Sequence, residues 1–192
     1  MNVVYVSLCA GRSARFEGRP KHLLAIGGET LIDRQRRQFG PVLVMDANEV
    51  GQTSATCETL ILSAMHWGAG RVHILLGDAY YTDAAVIQIN EDLHPVSFWT
   101  DGQDIFAISF HLDHALPILR AAARVVAKKA HNNGRLWELY RVYSGLPDCA
   151  PLPKPDCRLI RIIKDETQDF DTPDDFNNFK SGIYKNAALN KA

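Results

Sequence analysis

VVYVSLCAGRSARFEGRPKHLLAIGGETLIDRQRRQFGPVLVM, residues 3 to 45, decides the fold. Its first six residues form a short β-branched apolar run, which predicts a strand buried on both faces. A basic, glycine-bearing loop follows, and TLIDRQRRQF at 30 to 39 then reads as a helix. Thr30 is placed to cap it with Asp33 three residues on, while Leu31, Ile32 and Phe39 mark a buried side. PVLVM at 41 to 45 returns as a second strand.

The alternation continues outward from there. Thr53 or Ser54 can cap a helix through ATCETLILSAMHW, and RVHILL at 71 to 76 is another buried strand, ending in Gly77-Asp78. Strand, loop, helix, strand predicts a mostly parallel, Rossmann-like α/β sheet flanked by helices on both faces. Ligands in such sheets bind at the carboxyl ends of strands. The second half is less regular: TDAAVIQINEDL reads as a helix, and PVSFWT and DIFAISF read as a small hairpin around Asp101-Gly102. A helix is expected over 114 to 130, with Pro117 in its first turn. RLWELYRVYS reads as helix, SGLPDCAPLPKPD as loop and CRLIRII as a late strand.

At 192 residues and 46% hydrophobic content the chain suits one domain, expected over 1 to 180, followed by a frayed tail at 181 to 192. No apolar stretch approaches the roughly 20 residues that cross a bilayer, and the opening residues lack a basic leader and cleavage site. A cytoplasmic protein without membrane partners is the expectation. Cys9, Cys57, Cys149 and Cys157 show no C-x-x-C spacing and read as free thiols. A pI near 6.6, with one short basic region, offers no stripe for a nucleic acid backbone.

A net charge of -1 conceals an asymmetry. Residues 1 to 40 carry seven basic side chains against three acidic ones, whereas DETQDFDTPDD at 165 to 175 carries six acids and no base. A basic loop and an acidic segment that meet in the fold would suit an anion with its divalent cations. In the first loop, backbone amides around Gly11 can approach an anion that Arg15 and Lys21 neutralise, although neither a P-loop nor a G-x-G-x-x-G fingerprint is present. Asp78, at a strand's carboxyl end, is a hard oxygen ligand aimed at the crevice, or else the cap of a turn. At 169 to 176, Thr172, Pro173 and Asp175 form a helix start, which leaves Asp171 free to face a site and Asp169 as a less well placed substitute.

These segments, in this order, resemble the nucleotidyltransferase superfamily of sugar-phosphate nucleotidyltransferases and molybdenum-cofactor guanylyltransferases. Leu8-Cys9-Ala10-Gly11, Arg15 and Lys21 resemble its opening loop, KHLLAIGGETLIDRQ its passage into the first helix, Gly77-Asp78 its metal-binding aspartate and Asp171-Thr172-Pro173 its second carboxylate. Cys9 replaces a commoner alanine, and Ser13 a frequent second glycine. The resemblance implies a GT-A-like fold. It also implies attack by an acceptor, usually a sugar phosphate, on the α-phosphorus of a nucleoside triphosphate, with loss of pyrophosphate. Leu8, Ala10, Gly11, Arg12 and Ser13 would line the nucleotide, Arg15 would grip the β and γ phosphates, and Lys21 would approach the α-phosphate. Asp78 and Asp171 would hold Mg²⁺.

Thr53 and Ser54 are candidates for reading the base, or are helix caps. For the acceptor, Phe98, Trp99, Arg135, Trp137, Tyr140 and Arg141 are candidates, and core packing accounts for most of the aromatics. His111 and His114 are spaced like an incidental pair rather than a metal site. Two other functions remain open: a glycosyltransferase, which would want a second carboxylate near Asp78-Ala79-Tyr80, and a non-catalytic nucleotide sensor.

Overall fold

The structure is a computed structural model describing residues 2–11, 13–128, 134–147 and 158–189, with the backbone alone at 14 and 184–189. Its first half runs β1 (Val3–Leu8), β2 (Ala25–Ile26), β3 (Glu29–Thr30), α1 (Leu31–Phe39), β4 (Val42–Met45), α2 (Ala47–Val50), α3 (Thr56–Ser63), β5 (Arg71–Leu76), β6 (Ala79–Tyr80) and α4 (Asp83–Glu91). The second runs β7 (Val96–Thr100), β8 (Ile105–His111), α5 (Ala115–Ala127), α6 (Leu136–Tyr143), β9 (Ile160–Ile162), β10 (Gln168–Asp169) and α7 (Pro173–Leu189).

Six strands form the central sheet in the order β4-β1-β5-β8-β7-β9. Parallel pairing joins β1 to β4 and β5, and β7 to β9, while β8 is antiparallel to both its neighbours. Five strands thus point one way and β8 the other. The hairpin expected around Asp101-Gly102 is β7–β8, and it is built into this sheet.

Alternate side chains feed two cores, as the period of a strand requires. Val6, Leu8, Val72, Ile74, Phe98 and Ile108 pack on one face beneath Leu60, Ile118, Val125 and Tyr140 from α3, α5 and α6. Leu75, Trp99 and Ala107 pack on the other against Phe39, Val86 and Ile89 from α1 and α4. A bulge breaks the alternation in β8. Trp99 lies opposite Ala107 and Thr100 opposite Ile105, which leaves Phe106 unpaired between them, on the same face as Ala107.

The sequence signals at the starts of α1 and α7 hold in detail. Thr30 accepts the Asp33 N–H at 3.1 Å, and Thr172 and Asp175 exchange bonds across the start of α7, with the Thr172 hydroxyl 3.2 Å from the Asp175 N–H. Pro117 sits in the first turn of α5. Residues 129 and 130 of that expected helix, residues 148–156 of the expected loop and Cys157 at the head of CRLIRII lie outside the described residues. Helix α7 runs on past residue 180, where a tail was expected, because Ile183 joins a third apolar cluster of Phe16, Ile26, Leu31, Phe170 and Phe176. Among the described residues no helix is long and apolar enough to cross a membrane.

A buried polar group also sets an acid limit on the fold. His73, 1% exposed, stacks on Tyr5, and its Nδ1 lies 2.7 Å from the Ser109 hydroxyl, which accepts the Trp99 indole N–H. Burial, reinforced by the charge of Arg71, pushes its pKa down to about 3. An unfolded imidazole takes its proton near pH 6.5, so between these values the unfolded chain binds one more proton. Stability is fully present above that window and falls with pH through it, at up to about 1.4 kcal/mol per pH unit. Urea unfolding between pH 7 and 4 is expected to lose that part of its slope in His73→Gln; an unchanged slope would place the acid sensitivity elsewhere.

Candidate active site

The site is built where the chain changes direction across the sheet. From β1 the connection runs to β4 on one side, and from β4 through α3 to β5 on the other, which leaves a crevice at the carboxyl ends of β1 and β5. Leu8 and Leu76 are register partners there, and the Gly77 N–H extends the ladder to the Leu8 carbonyl at 3.1 Å. The loop after β1 is stitched down by Cys9 N–H to the Met45 carbonyl and by Thr53 N–H to the Ala10 carbonyl. Ser13 then turns left-handed, at φ 47° and ψ 34°. Glycine reaches that conformation freely and other residues seldom do, so Ser13 occupies a position that favours glycine. The turn carries Phe16 into the third apolar cluster, fixing the direction of the basic loop.

Lys21 is the hinge of the charged groups. Its Nζ donates to Asp78 Oδ2 and to the Phe170 carbonyl, both at 2.7 Å. The strands that make this reach possible are β6 and β10, whose antiparallel pairing sets Asp169 opposite Ala79, the residue after Asp78. Two residues beyond, Asp171 Oδ1 lies 3.1 Å from Arg15 Nη1, and Arg135 approaches its other oxygen at 4.0 Å. The basic loop and the acidic segment do meet. Each of the two cations expected to touch phosphate is paired with one of the two carboxylates expected to hold metal.

Acidity is in excess around this cleft. Burial pushes the Asp169 carboxyl up to about 7, helped by the charges of Asp78, Asp104 and Asp171 and opposed by Lys21. Burial and the charge of Asp171 also raise Asp104, against the opposing charge of Arg135. Crowded carboxylates of this kind are a donor set that a divalent cation relieves. Among the described residues no three His, Cys, Asp or Glu side chains form a metal cage. One or two carboxylates, completed by phosphate oxygens, is the arrangement Mg²⁺ commonly takes, so the residues present fit that ion.

Leu8, Gly11, Ser13, Lys21, Ser54, Asp78 and Asp171 line this one cleft. Arg15 reaches its rim through Asp171. Ala10 is buried, and Arg12 lies outside the described residues. Thr53 turns away: it is 5% exposed and its hydroxyl lies 2.7 Å from that of Thr59, so it has no free edge to offer a base. Neither Thr53 nor Ser54 caps α3 in the expected way. Helix α3 begins after Ala55, and Glu58 reaches back to take both the N–H and the hydroxyl of Ser54 at 2.8 Å.

Of the acceptor candidates, Arg135 and Trp137 line the cleft, and Arg141 lies against the Trp137 ring. Phe98, Trp99 and Tyr140 are core. His111 pairs with Asp113. His22 and Asp104 line the cleft and escaped the sequence reading. Asp104 opens the run DIFAISF, expected only as a strand, while Asp101 is the acid that takes the turn's amides, from Gln103 and Asp104. The signal was a second acid in a four-residue turn.

No protein-family model matches this sequence, and no curated protein sequence does. Solved structures match it in fold. A CTP:phosphocholine cytidylyltransferase from Streptococcus pneumoniae superposes with a TM-score of 0.60 over 95% of this chain and 100% of that one, at 12% identity. A CMP:2-keto-3-deoxy-manno-octonic acid synthetase complexed with CTP gives 0.59 over 97% and 100%, at 14% identity. The chain has the fold of these enzymes. A nucleoside-diphosphate-sugar pyrophosphorylase from Vibrio cholerae RC9 shares it at 0.55, over 92% and 99%, with 14% identity.

Gly77 is fixed by contact rather than by backbone angle. A Cβ placed there would overlap Cys9 Sγ and crowd the Leu8 carbonyl oxygen at 3.1 Å. Gly77→Ala is expected to cost about 1–3 kcal/mol in chemical denaturation through overpacking. Adding Cys9→Ala removes the sulfur and is expected to restore most of that loss; simple additivity of the two changes would show that the sulfur is not what Gly77 avoids.

Proposed function

We propose that the protein is a Mg²⁺-dependent nucleotidyltransferase that moves a nucleoside monophosphate from a nucleoside triphosphate to a small phosphorylated acceptor, with sugar phosphates as the first candidates. The observation that carries this reading is Lys21, whose ammonium lies 2.7 Å from both Asp78 and the Phe170 carbonyl at the carboxyl ends of β1 and β5. The fold shared with cytidylyltransferases and a sugar pyrophosphorylase supports it.

In the proposed reaction an oxygen of the acceptor phosphate attacks the α-phosphorus. The bond from that phosphorus to the oxygen bridging to the β-phosphorus breaks, and pyrophosphate leaves with the electron pair. Such a transfer asks for alignment and charge stabilisation more than for covalent help. Gly11 and Ser13 border the nucleotide, Lys21 offsets charge at the α-phosphate, and Arg15 exchanges Asp171 for the outgoing phosphates. Arg135, beside Trp137, faces the acceptor's phosphate, for which a guanidinium fork is suited. Asp78 and Asp171 are the residues to hold Mg²⁺, which when bound offsets the repulsion between two anionic reactants.

Pyrophosphate release with Mg²⁺, measured for each of the four ribonucleoside triphosphates against pooled sugar phosphates and phosphorylated alcohols, tests the proposal. Lys21→Ala and Asp78→Ala are each expected to lower turnover by about 10²-fold or more, the scale of removing one preorganised charge contact. Near-normal turnover in either variant, with the fold intact by circular dichroism, would falsify these roles. Nucleotide binding without Mg²⁺ dependence and without turnover would instead mark a sensor.

A further inference from the structure

Resting on that reading of Asp78, we infer that Gln35 is a positioning residue that sets the direction of the Asp78 carboxylate. Gln35 stands on α1, is 1% exposed and is not itself one of the residues that line the cleft. Its Nε2 donates to the Leu76 carbonyl at 2.9 Å and to the Ala79 carbonyl at 3.2 Å. These are the residues on either side of Gly77-Asp78, so one amide group closes the turn that presents the carboxylate. Ala79 is also the register partner of Asp169, and the same clamp holds the ribbon that brings the acidic segment to the site.

The orientation of the amide is determined by its partners. Two carbonyls can only accept, so the NH₂ group must face them. The remaining oxygen accepts the hydroxyl of Ser7, at 2.8 Å, from the middle of the sheet. Ser7 is fully buried, so no water competes for that bond. From the other side Tyr81, also fully buried, accepts the Leu76 N–H at 3.2 Å and donates to the Phe106 carbonyl at 2.7 Å. The turn is therefore fixed through backbone groups at both ends, while the Asp78 side chain is left to Lys21 and the cleft. Groups outside a metal's own ligands that fix those ligands commonly change affinity or activity by about 10–100-fold when removed.

Four variants of the full chain test this: Gln35→Met, which keeps length and loses the bonds; Ser7→Ala, which frees the amide to turn; Gln38→Met, a control one turn along the same helix; and Asp78→Asn. Gln38 donates to the Tyr81 backbone carbonyl and to Asp83, not to the Leu76 or Ala79 carbonyl, and it does not bond the Tyr81 hydroxyl that holds Leu76. The readouts are Mn²⁺ affinity by electron paramagnetic resonance, thermal midpoint, and kcat and KM for the triphosphate that supports pyrophosphate release. Gln35→Met is expected to weaken Mn²⁺ binding by about tenfold or more and to lower kcat with little change in KM. Ser7→Ala should do so a few fold, and Gln38→Met not at all. If Asp78→Asn abolishes Mn²⁺ binding while Gln35→Met only lowers the thermal midpoint, Gln35 is structural and the inference is overturned. If Asp78→Asn binds Mn²⁺ like the unaltered protein, the assignment of Asp78 itself fails, and the role of Gln35 with it.

Discussion

One ammonium group joins the two ends of this chain. Lys21 Nζ touches a carboxylate that ends one strand and a carbonyl that precedes the last helix, and its counterpart across that span is 149 residues away. Four carboxylates crowd the neighbouring cleft, and at close range unit charges of one sign repel by several kcal/mol once partly removed from water. The pair is only partly exposed, at 17% and 22%, so solvent screens it less than it does Arg15 and Asp171 at 56% and 44%. The inner pair is the one that organises; the outer is an easily exchanged contact.

The scaffold around that group is apolar and stiff. Two cores grip the sheet from either side, and a third, built on Phe16, Phe170 and Phe176, fastens the basic loop to the acidic segment. Charge alone would leave these segments free to slide past one another. The aromatic contacts fix their distance, and the Lys21 bonds then choose the angle.

Much of this was legible in the residues. The largely apolar runs at 3–8 and 71–76 point to the interior of a sheet, and Thr30 and Thr172 announce their helices by a side chain that reaches the right amide. What periodicity withholds is neighbourhood. It marks DIFAISF as a strand in a hairpin with PVSFWT, but not that this strand also lies beside β5. A hydroxyl looks the same whether it reads a base or meets Thr59, which is why Thr53 read as a candidate. Gln35 is invisible for a related reason: on a helix rich in arginine and glutamine it passes for a solvated residue until the sheet is folded against it.

The β6–β10 ribbon pairs only two residues on each strand, yet those residues lie about ninety positions apart in the chain. Contacts of such long sequence separation pay their loop-closure entropy late, after local helices and the first strand pairs have formed. The charged centre is consequently among the last features to assemble. During synthesis the first two-thirds of the chain can emerge and pair β1 with β4 and β5, but the acidic segment that takes a bond from Lys21 and completes the cluster arrives only with residues 168 to 171. A partly made chain thus lacks Asp169 and Asp171, and the full constellation exists only in a molecule that has finished folding.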